Sequence, residues 1–120
     1  MIDVLLYHPQ RALARIYEAH LVRSGLEAVC VYEEPDFWKT LDAVEPQVIC
    51  LDTSLFHKVS LKLENTYIKQ RKNFPSVVTL GKTIPVDSVI ARSHFNTDSH
   101  APSALPRHLK PFVRYTPFSC

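Results

Sequence analysis

Gln47-Val48-Ile49-Cys50-Leu51-Asp52 is an apolar run that stops abruptly at a carboxylate. Four consecutive apolar residues, entered after Pro46 and left through a polar turn, read as a β-strand buried on both faces. Two more runs share this form: Val4-Leu5-Leu6-Tyr7 before His8-Pro9, and Val77-Val78-Thr79-Leu80 before Gly81-Lys82. Helical patterns separate them, which predicts an α/β chain with one parallel sheet and Asp52 near its centre. The acid then lies at the carboxyl edge, where open α/β sheets place their functional groups.

Outward from that strand, the connections are short and helical. Pro9 suits a first helical turn, where its missing N–H has no partner to lose. From Gln10 to Ser24, Leu13, Ile16, Tyr17, His20 and Leu21 recur at helical spacing as one stripe, and Gly25 is the expected stop. Leu26 to Tyr32 reads as the second strand, closed by Glu33-Glu34-Pro35. Asp36 then caps a short helix with Phe37, Trp38, Leu41 and Val44 on its apolar face. Ser54 to Lys72 reads as a loop and then a helix bearing Leu55, Val59, Leu63 and Tyr67, with a basic end at Lys69-Gln70-Arg71-Lys72. Parallel crossovers of this kind are right-handed, so helices are expected on both faces of a doubly wound sheet.

Past Lys82 the periodicity fades. Val86 to Phe95 reads as a short helix or a strand such as Ser88-Val89-Ile90-Ala91, and Asn96 to Pro106 has the chemistry of a loop. His108 to Phe112 is expected as a brief last strand, with no room for a closing helix of ordinary length. The chain therefore divides into an α/β core over 1–82 and an irregular Pro- and His-rich segment over 83–120 that completes or extends the same domain.

Composition narrows the function classes. The 120 residues are 46% hydrophobic and 22% charged with a net charge of +2, which suits one ordinary globular domain and does not by itself imply nucleic acid. No apolar run approaches the roughly 20 residues of a membrane span, and Met1-Ile2-Asp3 lacks the start of a signal peptide. Cys30, Cys50 and Cys120 show no CxxC spacing, and two of them fall in expected strands, so buried thiols and a cytoplasmic, reducing setting are expected. Two glycines exclude a Gly-rich phosphate cradle. The six histidines show no i,i+4 pair or HxH, so packed or solvated imidazoles are expected rather than a zinc site. Arg107, His108, Lys110 and Arg114 interleave with Phe112, Tyr115 and Phe118. That mixture reads as an arm that docks on a protein partner or a second copy, in preference to a nucleic-acid stacking surface.

Residues 2–82 resemble the receiver domain of bacterial response regulators, of flavodoxin-like fold with sheet order 2-1-3-4-5. The strand ending in Asp52 is similar to the family's third strand, whose terminal Asp accepts phosphate, and the intervals to His8-Pro9 and to Gly81 fit the family's functional positions. Lys110-Pro111-Phe112 looks like the tripeptide that ends the fifth strand. The resemblance implies Asp52 as phospho-acceptor with Lys110 as its cationic partner, and partner contacts on the face of the fourth helix, fifth strand and fifth helix.

The departures from the pattern are chemical. The family ends its first strand in paired acids that hold Mg²⁺, where this chain has His8-Pro9. The fourth strand should end in Ser or Thr, where this chain has Gly81, and the last helix is expected to be atypical or missing. Phosphoryl transfer to a carboxylate brings negative charge against negative charge, so a divalent cation does most of the stabilising. A hard cation wants several oxygens. The residues left to hold one are Asp52 with Glu33, or Glu34, and His8. The expectation is a degenerate receiver, a pseudo-receiver, that regulates by protein–protein interaction, with no cofactor, Mg²⁺ being needed only if Asp52 is phosphorylated. A phosphorylatable receiver is the alternative, and a nucleic-acid accessory protein the third reading. An enzyme is not expected, because the crevice carries one acid and no convergent catalytic set.

Overall fold

The apolar runs are strands. In the computed structural model, which describes residues 2–69, 74–84 and 90–113, they are Val4–Tyr7 (β1), Ala28–Val31 (β2), Val48–Asp52 (β3), Ser76–Gly81 (β4) and Ala91–Asn96 (β5). They form one sheet in the order β2-β1-β3-β4-β5, each neighbouring pair parallel. The helices are Arg11–Arg23 (α1), Glu34–Val44 (α2), Thr53–Lys69 (α3) and Leu105–Leu109 (α4), the last flanked by 3-10 turns at Pro102–Ala104 and Lys110–Phe112.

Period-two alternation explains why β1 and β3 are apolar throughout. Val4 and Leu6 of β1 and Val48 and Cys50 of β3 face a core shared with Ala14, Tyr17 and Leu21 of α1 and Leu105 and Leu109 of α4. Leu5, Tyr7, Ile49 and Leu51 face the opposite core, with Phe37 of α2 and Leu55, Phe56, Val59 and Leu63 of α3. Both faces are covered, so every position must be apolar. Each such side chain contributes roughly 1.5–3 kcal/mol by leaving water.

Gly25 ends α1 as expected, with φ +89°. Its N–H donates to Val22 O and that of Leu26 to Leu21 O, the paired bonds of a Schellman stop. The stripe of α1 is corrected in part. Ala14, Tyr17 and Leu21 are buried at i, i+3 and i+7, whereas Ile16 is 47% exposed because it lies one residue round the helix. Helix α2 starts at Glu34, with Glu33 rather than Asp36 at the capping position and Pro35 inside the first turn, where proline is tolerated. No loop separates β3 from α3, which begins at Thr53.

The last third differs most from expectation. The fifth strand is Ala91–Asn96, not His108–Phe112; of the alternative strand at Ser88–Ala91, Ser88 and Val89 lie outside the described residues. Lys110-Pro111-Phe112 is a 3-10 turn, so the tripeptide does not end a strand. A closing helix does exist. It is only five residues long, yet Leu105 and Leu109 are fully buried against α1. Among the described residues no helix is long and apolar enough to cross a membrane.

Candidate functional site

The register sets the carboxyl ends of β1, β3, β4 and β5 along one edge: Tyr7 pairs with Leu51, Asp52 with Leu80, and Gly81 with Asn96. A cavity of about 490 Å³ opens there, at the point where the chain's connections diverge from β1 and β3. His8, Asp52, Thr53, His57, Lys82 and Thr97 are among the residues that line it.

His8 is positioned by β1 and by its own backbone, whose N–H donates to Val31 O at 3.2 Å. Its side chain is buried. Nδ1 accepts the Gln10 N–H at 3.0 Å, so the ring proton of the neutral form sits on Nε2, 3.5 Å from Asp52 Oδ1. Burial pulls the imidazole below its ordinary range, against the opposing pull of the Asp52 carboxylate. Tyr17 of α1 approaches the His8 ring at 6.0 Å, and burial holds its phenol above the usual range.

Asp52 ends β3 and also caps α3. Its Oδ2 accepts the Ser54 backbone N–H at 3.0 Å and a short bond from the Ser54 hydroxyl. Both oxygens are thus engaged, one by His8 and one by Ser54, although the side chain keeps 18% of its exposure. Thr53, the next residue, donates from Oγ1 to Leu80 O at 3.0 Å. That hydroxyl fills the space beside Gly81: a Cβ there would lie 2.6 Å from Thr53 Oγ1, and the backbone φ is +153°. Gly81 is held from the other side by His94, whose Nε2 donates to its carbonyl at 3.1 Å while Nδ1 meets the Thr79 hydroxyl at 2.8 Å.

The donors present do not fit a hard cation. Asp52 shares its oxygens with His8 and Ser54. Glu34 Oε2 accepts the Trp38 indole N–H at 3.0 Å, and Glu33 is exposed at the start of α2. Among the described residues no three His, Cys, Asp or Glu side chains converge.

The structure separates other residues that the sequence grouped. Lys110 is exposed in the turn after α4, and Asp52's partners among the described residues are His8 and Ser54. The lysine at the cavity is Lys82 instead. Phe112 packs against the α1 core and is not a free aromatic tip. Arg114, Tyr115 and Phe118 lie outside the described residues. Thr53 and Thr97 carried no signal in the sequence, because their place at the cavity depends on the β3–β4–β5 register. Burial pushes the Cys30 thiol up to about 12 and raises that of Cys50 as well, which disfavours the nucleophilic thiolate at both.

A five-stranded parallel sheet in the order 2-1-3-4-5, with an acid ending its middle strand, is the flavodoxin-like architecture of receiver domains. Solved structures bear this out. The pseudo-receiver domain of the CikA protein is similar over 97% of this chain and 100% of its own, with TM-score 0.72 and 19% identity. An atypical orphan response regulator matches over 96% and 98%, with TM-score 0.72 and 15% identity. The chemotaxis protein CheY4 of Vibrio cholerae matches over 94% and 99%, with TM-score 0.75 and 14% identity. At these identities the likeness is one of fold. No protein-family model matches the sequence, and no curated protein matches it.

Proposed function

We propose that this chain is a pseudo-receiver: a receiver-like signalling module that regulates by binding other proteins, without Mg²⁺-dependent phosphorylation. The observation that carries this reading is the His8–Asp52 contact at 3.5 Å, which puts a buried imidazole where the resemblance requires metal-holding acids. Asp52 meanwhile serves as the cap of α3, a structural role that needs no turnover. The orphan regulator of similar fold is described as having a phosphorylation-independent regulatory mechanism, which suits the same reading. Partner contacts fall on the rebuilt face of β5 and α4.

The test is the intact mass of the protein after incubation with acetyl phosphate, with and without Mg²⁺, beside Asp52→Asn. No phosphoryl adduct is expected. An adduct present in the wild type and absent from Asp52→Asn would overturn the reading in favour of a phosphorylatable receiver. The partial exposure of Asp52 and the presence of Lys82 at the same cavity are what such a receiver would use.

A further inference from the structure

The cavity of about 490 Å³ falls within the range of small-molecule sites, about 300–1,000 Å³. Leu13 and Tyr17 of α1 bring carbon surface to it from beyond β1, and Lys82 and Thr97 bring polar groups from just past β4 and β5. Strand β3 lies between β1 and β4, so the two ends stand two strand spacings apart, about 10 Å. Tyr17 points to an occupant. Its side chain is 2% exposed, and its O–H makes no hydrogen bond among the described residues. Every fully buried side-chain N or O among those residues does have a partner, so the phenol oxygen is not sealed in the core. It opens on the cavity that Tyr17 lines. Burial keeps this phenol protonated, and the Asp52 charge adds to that effect, so the cavity receives a hydrogen-bond donor. A hydroxyl so nearly buried and left bare is costly, and an acceptor atom of a ligand would satisfy it. At the other end Lys82 is exposed and makes no ion pair among the described residues, where the one such contact is His8–Asp52.

We infer that the cavity binds a small organic monocarboxylate. Its carboxylate meets Lys82 and Thr97, its apolar body lies beside Leu13 and Leu80, and an oxygen at its far end accepts the Tyr17 hydroxyl. The inference rests on the pseudo-receiver reading, under which the cavity has no phosphoryl group to hold, and it gives that module an input. A para-substituted benzene ring carries two polar ends far enough apart to bridge the cavity through hydrogen bonds. A single negative charge suits the site because Asp52 also lines it. That carboxylate opposes any further negative charge, which disfavours phosphate and dicarboxylates. The wall the ligand touches continues into β5, the strand given above to partner contacts. The Gly81 carbonyl accepts both the Thr97 N–H and the His94 Nε2–H at 3.1 Å.

Isothermal titration calorimetry on the full chain, with para-hydroxybenzoate and benzoate as probes, tests this. Para-hydroxybenzoate should bind at one site with a millimolar or tighter dissociation constant. Lys82→Ala should weaken it about tenfold or more, through loss of a charge-assisted bond. Tyr17→Phe keeps the buried ring, and should weaken para-hydroxybenzoate about threefold to tenfold while leaving benzoate unchanged. Circular dichroism checks that each variant is folded. Failure of para-hydroxybenzoate to bind overturns the proposal, as does binding that either substitution leaves unchanged. Tighter binding of inorganic phosphate overturns it too. A phosphoryl adduct at Asp52 is read by mass and would overturn the preceding proposal, so the two fail by different measurements.

Discussion

Replacing Gly81 with serine returns a hydroxyl to the position where receivers carry one, and we expect the protein to reject it. The new Cβ would stand 2.6 Å from Thr53 Oγ1 and 3.1 Å from Thr53 Cβ, on a backbone at φ +153°. Side chains rarely adopt that conformation, and holding one there costs about 1–3 kcal/mol. Crowding at Thr53 adds about 1–3 kcal/mol if the neighbours yield. If Thr53 rotates away instead, it gives up its bond to Leu80 O, worth about 0.5–1.5 kcal/mol. The last two costs are alternatives, so the expected loss is about 2–4 kcal/mol, a large part of the 5–15 kcal/mol that holds a domain together. Urea unfolding of wild type, Gly81→Ser, Thr53→Ala and the double variant measures it. The double variant should recover about 1 kcal/mol relative to additivity, because alanine removes the nearest atom of the clash. A Gly81→Ser protein within about 0.5 kcal/mol of wild type would refute the reasoning, as would strict additivity of the two substitutions.

Two further outcomes follow from the same packing. Leu109→Ala, at a fully buried position of α4, should cost about 2–5 kcal/mol, and a loss under about 1 kcal/mol in the same unfolding assay would show that α4 is not part of the core. Acid should destabilise the fold through histidine: burial holds both His8 and His108 below their ordinary value of 6.5, so the unfolded chain takes up protons first. Their contribution is complete above about pH 6.5 and is lost as pH falls from there towards the folded values, and His8→Asn should flatten that slope. A urea midpoint that rises on acidification through this window would reverse the sign and overturn the assignment.

Strands β1, β3 and β4 were legible because both faces of each are covered, which forces a buried run that is apolar apart from Thr79 of β4. β5 is an edge strand in which only Phe95 is buried, so Ala91–Asn96 kept no pattern to read. α4 escaped for a different reason. Pro102 and Pro106 suggested loop and Pro111 was read within a last strand, yet each sits in the first turn of a short helical piece, where proline costs no hydrogen bond. At the site, His8 and Asp52 could be placed at strand ends from the sequence. The approach of Thr53 to Gly81 could not, because it joins two elements through the register of β3 and β4 and through one dihedral angle. Lys110 was misplaced because a tripeptide match carries no information about the strand that should precede it.

The two cores close at different times as the chain emerges during synthesis. The layer under α2 and α3 is complete once Ala91 has been made, since nothing beyond it contributes to that layer among the described residues. The layer under α1 needs Phe95, Leu105 and Leu109, so Ala14, Tyr17 and Leu21 stay partly uncovered until the far end of the domain arrives. That closure spans most of the chain, and contacts so distant in sequence are slow to form. A half-finished molecule therefore exposes its amino-terminal helix on the side that α4 will cover, and that side is where a chaperone would bind a nascent chain.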